Sequence, residues 1–197
     1  DDGAGTLTDT QTLTVTVTDV NEAPVITSAS SVDFAENSTS TVITITSNDV
    51  DSDNVTYGIS GTDVDDFNIN SNSGDLTFKT APNYESPTDS DTNREYVVII
   101  TATDDGSGNL TDTQTLTITV TDVNEAPVIT SASSASFAEN STSTVITITS
   151  DDVDSDNVTY GISGTDEDDF NINSISGDLT FKTAPNYESP TDSDTNR

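Results

Sequence analysis

Residues 111–130 read TDTQTLTITVTDVNEAPVIT, and residues 8–27 carry the same letters with one change. Leu116, Ile118 and Val120 alternate with Thr115, Thr117, Thr119 and Thr121. That period of two predicts a strand with one apolar face and one hydroxyl-bearing face. Directly after it, Asp122, Asn124 and Glu125 place three oxygen-bearing side chains ahead of Pro127. Proline lacks an amide hydrogen and restricts the residue before it, so the exit from the connector is stiffened. A strand, an oxygen-rich connector and a rigid exit are thus written twice.

The two copies lie 103 residues apart, and the same offset maps Phe34 onto Phe137 and Tyr57 onto Tyr160. Residues 1–94 and 104–197 differ at eight positions, 4, 6, 15, 32, 33, 48, 64 and 72. A period near 100 is too long for a solenoid unit and fits a string of small domains. Within one period the apolar runs are short and bounded by Gly, Asn, Asp and Ser, as in an all-β sandwich. Seven strands are expected in one unit: VIT with SVDFAE, TVITITS, NVTYGIS, DFNIN, GDLTFKT, EYVVIITAT and TDTQTLTITVT. The apolar run Val97-Val98-Ile99-Ile100 predicts a central strand buried on both faces.

These runs predict a complete repeat over 23–122. Residues 1–22 are expected to be the last strand of a preceding repeat plus a linker. Residues 123–197 are expected to be a linker and a partial next repeat lacking its last two strands. The pattern is that of a window onto a longer repetitive chain. Completion of the partial repeat by strands from neighbouring chains is the alternative.

The 36 acidic residues face only four basic ones, a formal net charge of -32. Phosphate-backbone binding depends on Lys and Arg, so nucleic acid is excluded as a partner. An anionic membrane surface is disfavoured for the same reason, and no apolar run approaches the roughly 20 residues of a membrane helix. A large negative field instead predicts solubility and attraction for cations. Cys, His, Met and Trp are absent, which removes the usual zinc and triad chemistries. Paired carboxylates of the glycosidase type need a cleft with sugar platforms. The tyrosines and phenylalanines fall instead on expected core positions, so no catalysis is expected.

The acids cluster near the expected strand ends. The ordered elements are Ala35-Glu36-Asn37, Asp49-Val50-Asp51, Pro82-Asn83-Tyr84-Glu85, Ala102-Thr103-Asp104 and the connector Asp122 to Pro127. This order resembles the cadherin repeat, across essentially the whole chain. The V-x-D-V-N-E-A-P wording is most similar to cadherin-like repeats of large bacterial surface proteins. The resemblance implies tandem seven-stranded, Greek-key, immunoglobulin-like β-sandwiches arranged as a rod, with calcium ions between consecutive domains. For the inner junction it implies Glu36, Asn83 and Glu85 from one unit as ligands. The connector would add Asp122, Asn124, Glu125 and carbonyls near Val123 and Ala126, and the next unit Asp152 and Asp154. For the earlier junction it implies Asp19, Asn21, Glu22, Asp49, Asp51 and Asp104. Asp1, Glu139 and Glu188 fall in incomplete sites. Asn83 stands where the family usually has aspartate, and Glu22 and Glu125 where it often has aspartate.

Calcium takes 6–8 oxygen ligands, and extracellular modules bind it with dissociation constants of about 10⁻⁴–10⁻³ M. Two carboxylates about 4 Å apart repel by about 4 kcal/mol at an effective dielectric near 20. A junction rich in them splays when empty, and a cation reverses the sign. Asp65, Asp66, Asp89, Asp91 and Asp112 read as solvated surface charge. Lys79 and Lys182 read as lysines reaching out from strand ends, and Asn37, Asn54 and Asn109 begin N-x-S/T triplets. The resulting expectation is a calcium-stabilised structural or adhesive module of an extracellular, bacterial cell-surface protein, filament or biofilm component. Its expected partners are tandem copies of itself and neighbouring chains in a fibre. The alternative is a carbohydrate-binding or homophilic cell–cell recognition module with a glycan or cell-surface ligand.

Overall fold

The computed structural model describes residues 3–5 and 7–191, so Asp1 lies outside the described residues. The chain divides into two units, 1–121 and 122–197. The first unit holds β1 (Val25–Ile26), β2 (Ser31–Ala35), β3 (Thr41–Thr44), β4 (Ser47–Asn48) and β5 (Val55–Ser60). After a single 3₁₀ turn at Val64–Asp66 come β6 (Phe67–Ile69), β7 (Asp75–Phe78), β8 (Glu95–Asp104) and β9 (Thr111–Thr121). Two of the seven expected strands are split. The first breaks into β1 and β2, because β1 pairs with β4 while β2 joins the other sheet beside β9. The second breaks into β3 and β4 around Ile45, whose amide bonds the Gly74 carbonyl at 2.9 Å.

The sandwich packs a four-stranded sheet, β2-β9-β8-β5, on a three-stranded sheet, β3-β7-β6. Its long hairpin runs from Glu95↔Thr119 to Thr103↔Thr111. β2 lies parallel to β9, from Ser31↔Thr117 to Ala35↔Thr121. The alternation of the quoted stretch sets the core: Leu116 and Ile118 are fully buried and Val120 nearly so. Val98, Ile100 and Ala102 meet them from β8, and Leu76, Phe67 and Phe78 from the facing sheet. Phe67 and Phe78 meet tilted by 39° at 4.3 Å between ring centroids, and Tyr96 meets Phe78 edge-on at 5.1 Å. Burying each such aliphatic or aromatic side chain contributes about 1.5–3 kcal/mol. The buried Tyr96 hydroxyl is satisfied by the Thr88 amide at 3.1 Å.

The expectation for residues 97–100 is corrected. Ile99 is 39% exposed and Val97 half-buried, because the second layer covers only one face of the four-stranded sheet. Residues 7–22 form no strand although they copy β9, and Leu13, Val15 and Val17 are exposed. β9 owes its regularity to ladders with β2 and β8 on either side, and the first copy has neither.

The second unit holds β10 (Val128–Ile129), β11 (Thr144–Thr147), β12 (Ser150–Asp151), β13 (Phe170–Ile172) and β14 (Asp178–Phe181). β10 pairs with β12 and the sheet β11-β14-β13 repeats β3-β7-β6. Residues 134–138 and 158–163, the copies of β2 and β5, carry no strand. In the first unit those segments ladder onto β9 and β8.

Candidate metal centre

The loop between β4 and β5 reads Asp49-Val50-Asp51-Ser52-Asp53. Ser52 takes a left-handed turn at φ 66°. The Asp51 and Asp53 amides donate to Asp49 Oδ1 at 2.9 and 3.4 Å. That curl brings one carboxylate oxygen each of Asp49, Asp51 and Asp53 within 4.8 Å of one another. The other Asp49 oxygen, Oδ2, is buried with no hydrogen-bond partner.

Two further segments close on this loop. Asp104, at the end of β8, is 3% exposed. Its Oδ1 accepts the Gly106 and Leu110 amides at 3.1 and 3.0 Å, capping the β8–β9 turn, while its Oδ2 accepts Asn21 Nδ2 at 3.2 Å. Asn21 Nδ2 also reaches the Ser107 carbonyl at 3.3 Å. The Glu22 amide donates to Asp51 Oδ2 at 2.7 Å. Asp105 clamps the two loops together, accepting the Asn54 amide at 2.8 Å and Asn54 Nδ2 at 2.9 Å. Those bonds hold its carboxyl below the usual range.

Crowding shows in the titration of this end. The Asp51 carboxylate raises the Glu22 pKa, with lost hydration and the charges of Asp19 and Asp49 adding to it. Asp53 is raised first by lost hydration, then by Asp49, Asp105, Asp104 and Asp51. Among the described residues there is no cationic partner here: the one ion pair is Lys182 with Asp168 at 4.0 Å. The donor set is all oxygen, convergent and anionic, with a buried oxygen that lacks a proton donor. Such a set fits a hard divalent cation of the calcium type.

Of the residues implied for the earlier junction, the structure brings Asn21, Glu22, Asp49, Asp51 and Asp104 together, and Asp19 acts on Glu22 through its charge. At the opposite end of this unit, Glu36 is 2% exposed and its Oε2 accepts the Tyr84 amide at 2.8 Å. A carboxylate oxygen of Glu85 lies within 4.8 Å of one of Glu36. Asn83 is exposed, and its Oδ1 accepts the Ser86 amide. The Arg94 guanidinium lies 4.2 Å over the Tyr84 ring and its Nε donates to the Tyr84 carbonyl at 2.7 Å, fixing the segment that carries Glu85.

In the second unit, the Glu125 amide donates to Asp154 Oδ2 at 2.7 Å, repeating Glu22 and Asp51. Asp152, Asp154 and Asp156 converge within 4.8 Å, repeating the first loop. Asn124 Nδ2 turns to the Glu125 carbonyl at 3.4 Å, whereas Asn21 Nδ2 reaches Asp104. Asp122, Val123 and Ala126 are exposed. Glu139 Oε2 accepts the Tyr187 amide at 3.0 Å, as Glu36 does from Tyr84, while Glu188 is exposed.

Several acids depart from their sequence reading. Asp89 is buried rather than surface charge, accepting the Asn93 and Arg94 amides at 2.7 and 3.3 Å. Asp112 accepts the Ile26 amide at 2.9 Å. Asp63, which no motif singled out, is 3% exposed and accepts the Ser90 and Val97 amides at 2.8 and 2.7 Å. Asp53 and Asp156 were also missed, although the alternate spacing of three aspartates signals them. Lys79 does reach outward, to the Asp65 carbonyl at 2.7 Å.

No curated protein matches the chain. Among solved structures, human protocadherin-24 EC1-2 is similar at a TM-score of 0.60 and 22% identity, covering 86% of this chain and 82% of that one. Drosophila N-cadherin EC1-4 is similar at a TM-score of 0.56 and 23% identity, covering 90% of this chain and 43% of that one. Residues 30–121 match the family described as "Cadherin domain", and the chain has the all-β sandwich fold of cadherin repeats.

Proposed function

We propose that this chain is a calcium-stabilised structural and adhesive repeat segment of a long extracellular, bacterial cell-surface protein or filament, with no catalytic role. The observation that carries this reading is the cluster of Asp49, Asp51 and Asp53, in which an Asp49 oxygen is buried without a partner and beside which Asn21 and Asp104 lie. Bound calcium supplies the positive charge that this end of the sandwich lacks. The residues do the rest: Asp49 curls its loop, Asp104 caps the hairpin and orients Asn21, and Glu22 ties the connector to Asp51.

The same logic extends to the inner junction as a proposed ligand set. By the resemblance to cadherin repeats, Glu36, Asn83 and Glu85 would be joined by Asp122, Asn124, Glu125, the Val123 and Ala126 carbonyls, Asp152 and Asp154. In this reading 23–122 is a complete repeat between a fragment at 1–22 and a partial repeat at 123–197. Near-identical repeats suit a spacer, which needs length rather than varied surfaces.

Thermal unfolding of the whole chain in chelator and in millimolar calcium tests the proposal. At 100 times its dissociation constant, one ion stabilises the state that binds it by about 2.7 kcal/mol. The expected result is a higher melting temperature in calcium than in equimolar magnesium. Identical melts in all three conditions overturn it.

A further inference from the structure

We propose that Asp53 is a direct ligand of the cation held by Asn21, Asp49 and Asp104, and that residue 106 is glycine because that cation's ligand shell fills the space above its Cα. The inference rests on the calcium reading above and adds two residues to it. Neither belongs to the ordered motif in which Asp49 and Asp51 are the paired aspartates.

The geometry of Gly106 carries the argument. A Cβ built on Gly106 would overlap both Asn21 Oδ1 and Asp53 Oδ2. Two oxygens from loops far apart in sequence therefore converge on one point beside the backbone of a third. Neither accepts a hydrogen bond among the described residues. Asn21 spends its Nδ2 on Asp104 and Ser107, which turns its oxygen away from them and toward Asp53. A neutral amide oxygen and a carboxylate oxygen gain nothing from such an approach in water. A shared cation makes it favourable, because a hard divalent ion is held by oxygens gathered from several segments.

Two further observations are independent of Gly106. Asp49 Oδ2 is buried with no donor to satisfy it, in the same cluster as Asp53. The second unit repeats the convergence with Asp152, Asp154 and Asp156. The 104–110 turn lies against Asp53 at Gly106, and Asp53 is half-buried. Asn54, bonded twice to Asp105, locks the two loops in that relation.

The test uses the full chain, with calcium binding read by calorimetry and bound terbium read by its luminescence lifetime in H2O and D2O. D53N removes the charge, D53A the ligand, G106A the space, and D65N serves as an exposed control. D53N and G106A are expected to weaken the affected site by about tenfold or more, since ligand charge count sets calcium affinity. D53A is expected to admit additional water to bound terbium, a change that loss of fold stability alone does not give. D65N should match the parent. Circular dichroism in chelator establishes that each variant is folded, and D53N carries the test if G106A is not. A parent chain that binds no calcium overturns the calcium reading itself. A parent that binds, with D53N unchanged in affinity and D53A unchanged in terbium hydration, overturns only the assignment of Asp53.

Discussion

Asp63 shows how a single buried acid serves the fold. Burial pushes its pKa up, but hydrogen bonds from the Val97 amide, the Ser90 amide and hydroxyl and the Thr62 hydroxyl outweigh it, and the net shift is downward. A carboxyl with a lowered folded pKa contributes stability above its unfolded value and loses it as pH falls through the folded one. D63N should therefore cost about 1–3 kcal/mol near neutral pH, the range for a broken buried hydrogen-bond set. The deficit against the parent should shrink as pH drops below the ordinary carboxylate range. Urea unfolding in chelator at several pH values checks both the size and the sign. Glu22 and Asp53 behave oppositely: their raised pKa values mean that protonation relieves crowding, and that relief is lost as pH rises through them. The sequence made Asp49, Asp51 and Asp104 legible because their motifs stand in order. It did not separate Asp89 from Asp91. Both sit in the polar run SPTDSDTNR, and only the fold decides which one turns inward to cap backbone amides.

At the level of strands, the closed core sets the cost of a core substitution. Leu76 of β7 is fully buried. L76A should cost about 2–5 kcal/mol, as for a large-to-small change in a closed core. Amide hydrogen exchange in β7 of the variant reads that loss. Alternation in LTITV predicted the buried face of β9 residue by residue. The run VVII in β8 was misread, because a continuous apolar stretch does not distinguish one covered face from two. The break at Ile45–Thr46 was illegible, because it follows from which sheet each half joins, whereas the gap between VIT and SVDFAE was visible in the sequence.

The net charge of -32 belongs to the whole molecule. In chelator, raising salt from about 10 mM to about 0.15 M shortens the screening length from about 30 Å to about 8 Å. The metal-free chain should melt at higher temperature as salt is added. With calcium bound, the carboxylates at strand ends are already compensated and the dependence should flatten, which a melting series in sodium chloride with and without calcium measures. The parallel pairing of β2 with β9 has a mechanical consequence for a chain of such repeats. Tension enters the first unit ahead of β2 and leaves beyond β9, so it drags two co-directional neighbours past each other. Every rung from Ser31↔Thr117 to Ala35↔Thr121 then resists at once, and the repeat yields by sliding rather than by peeling open one bond at a time.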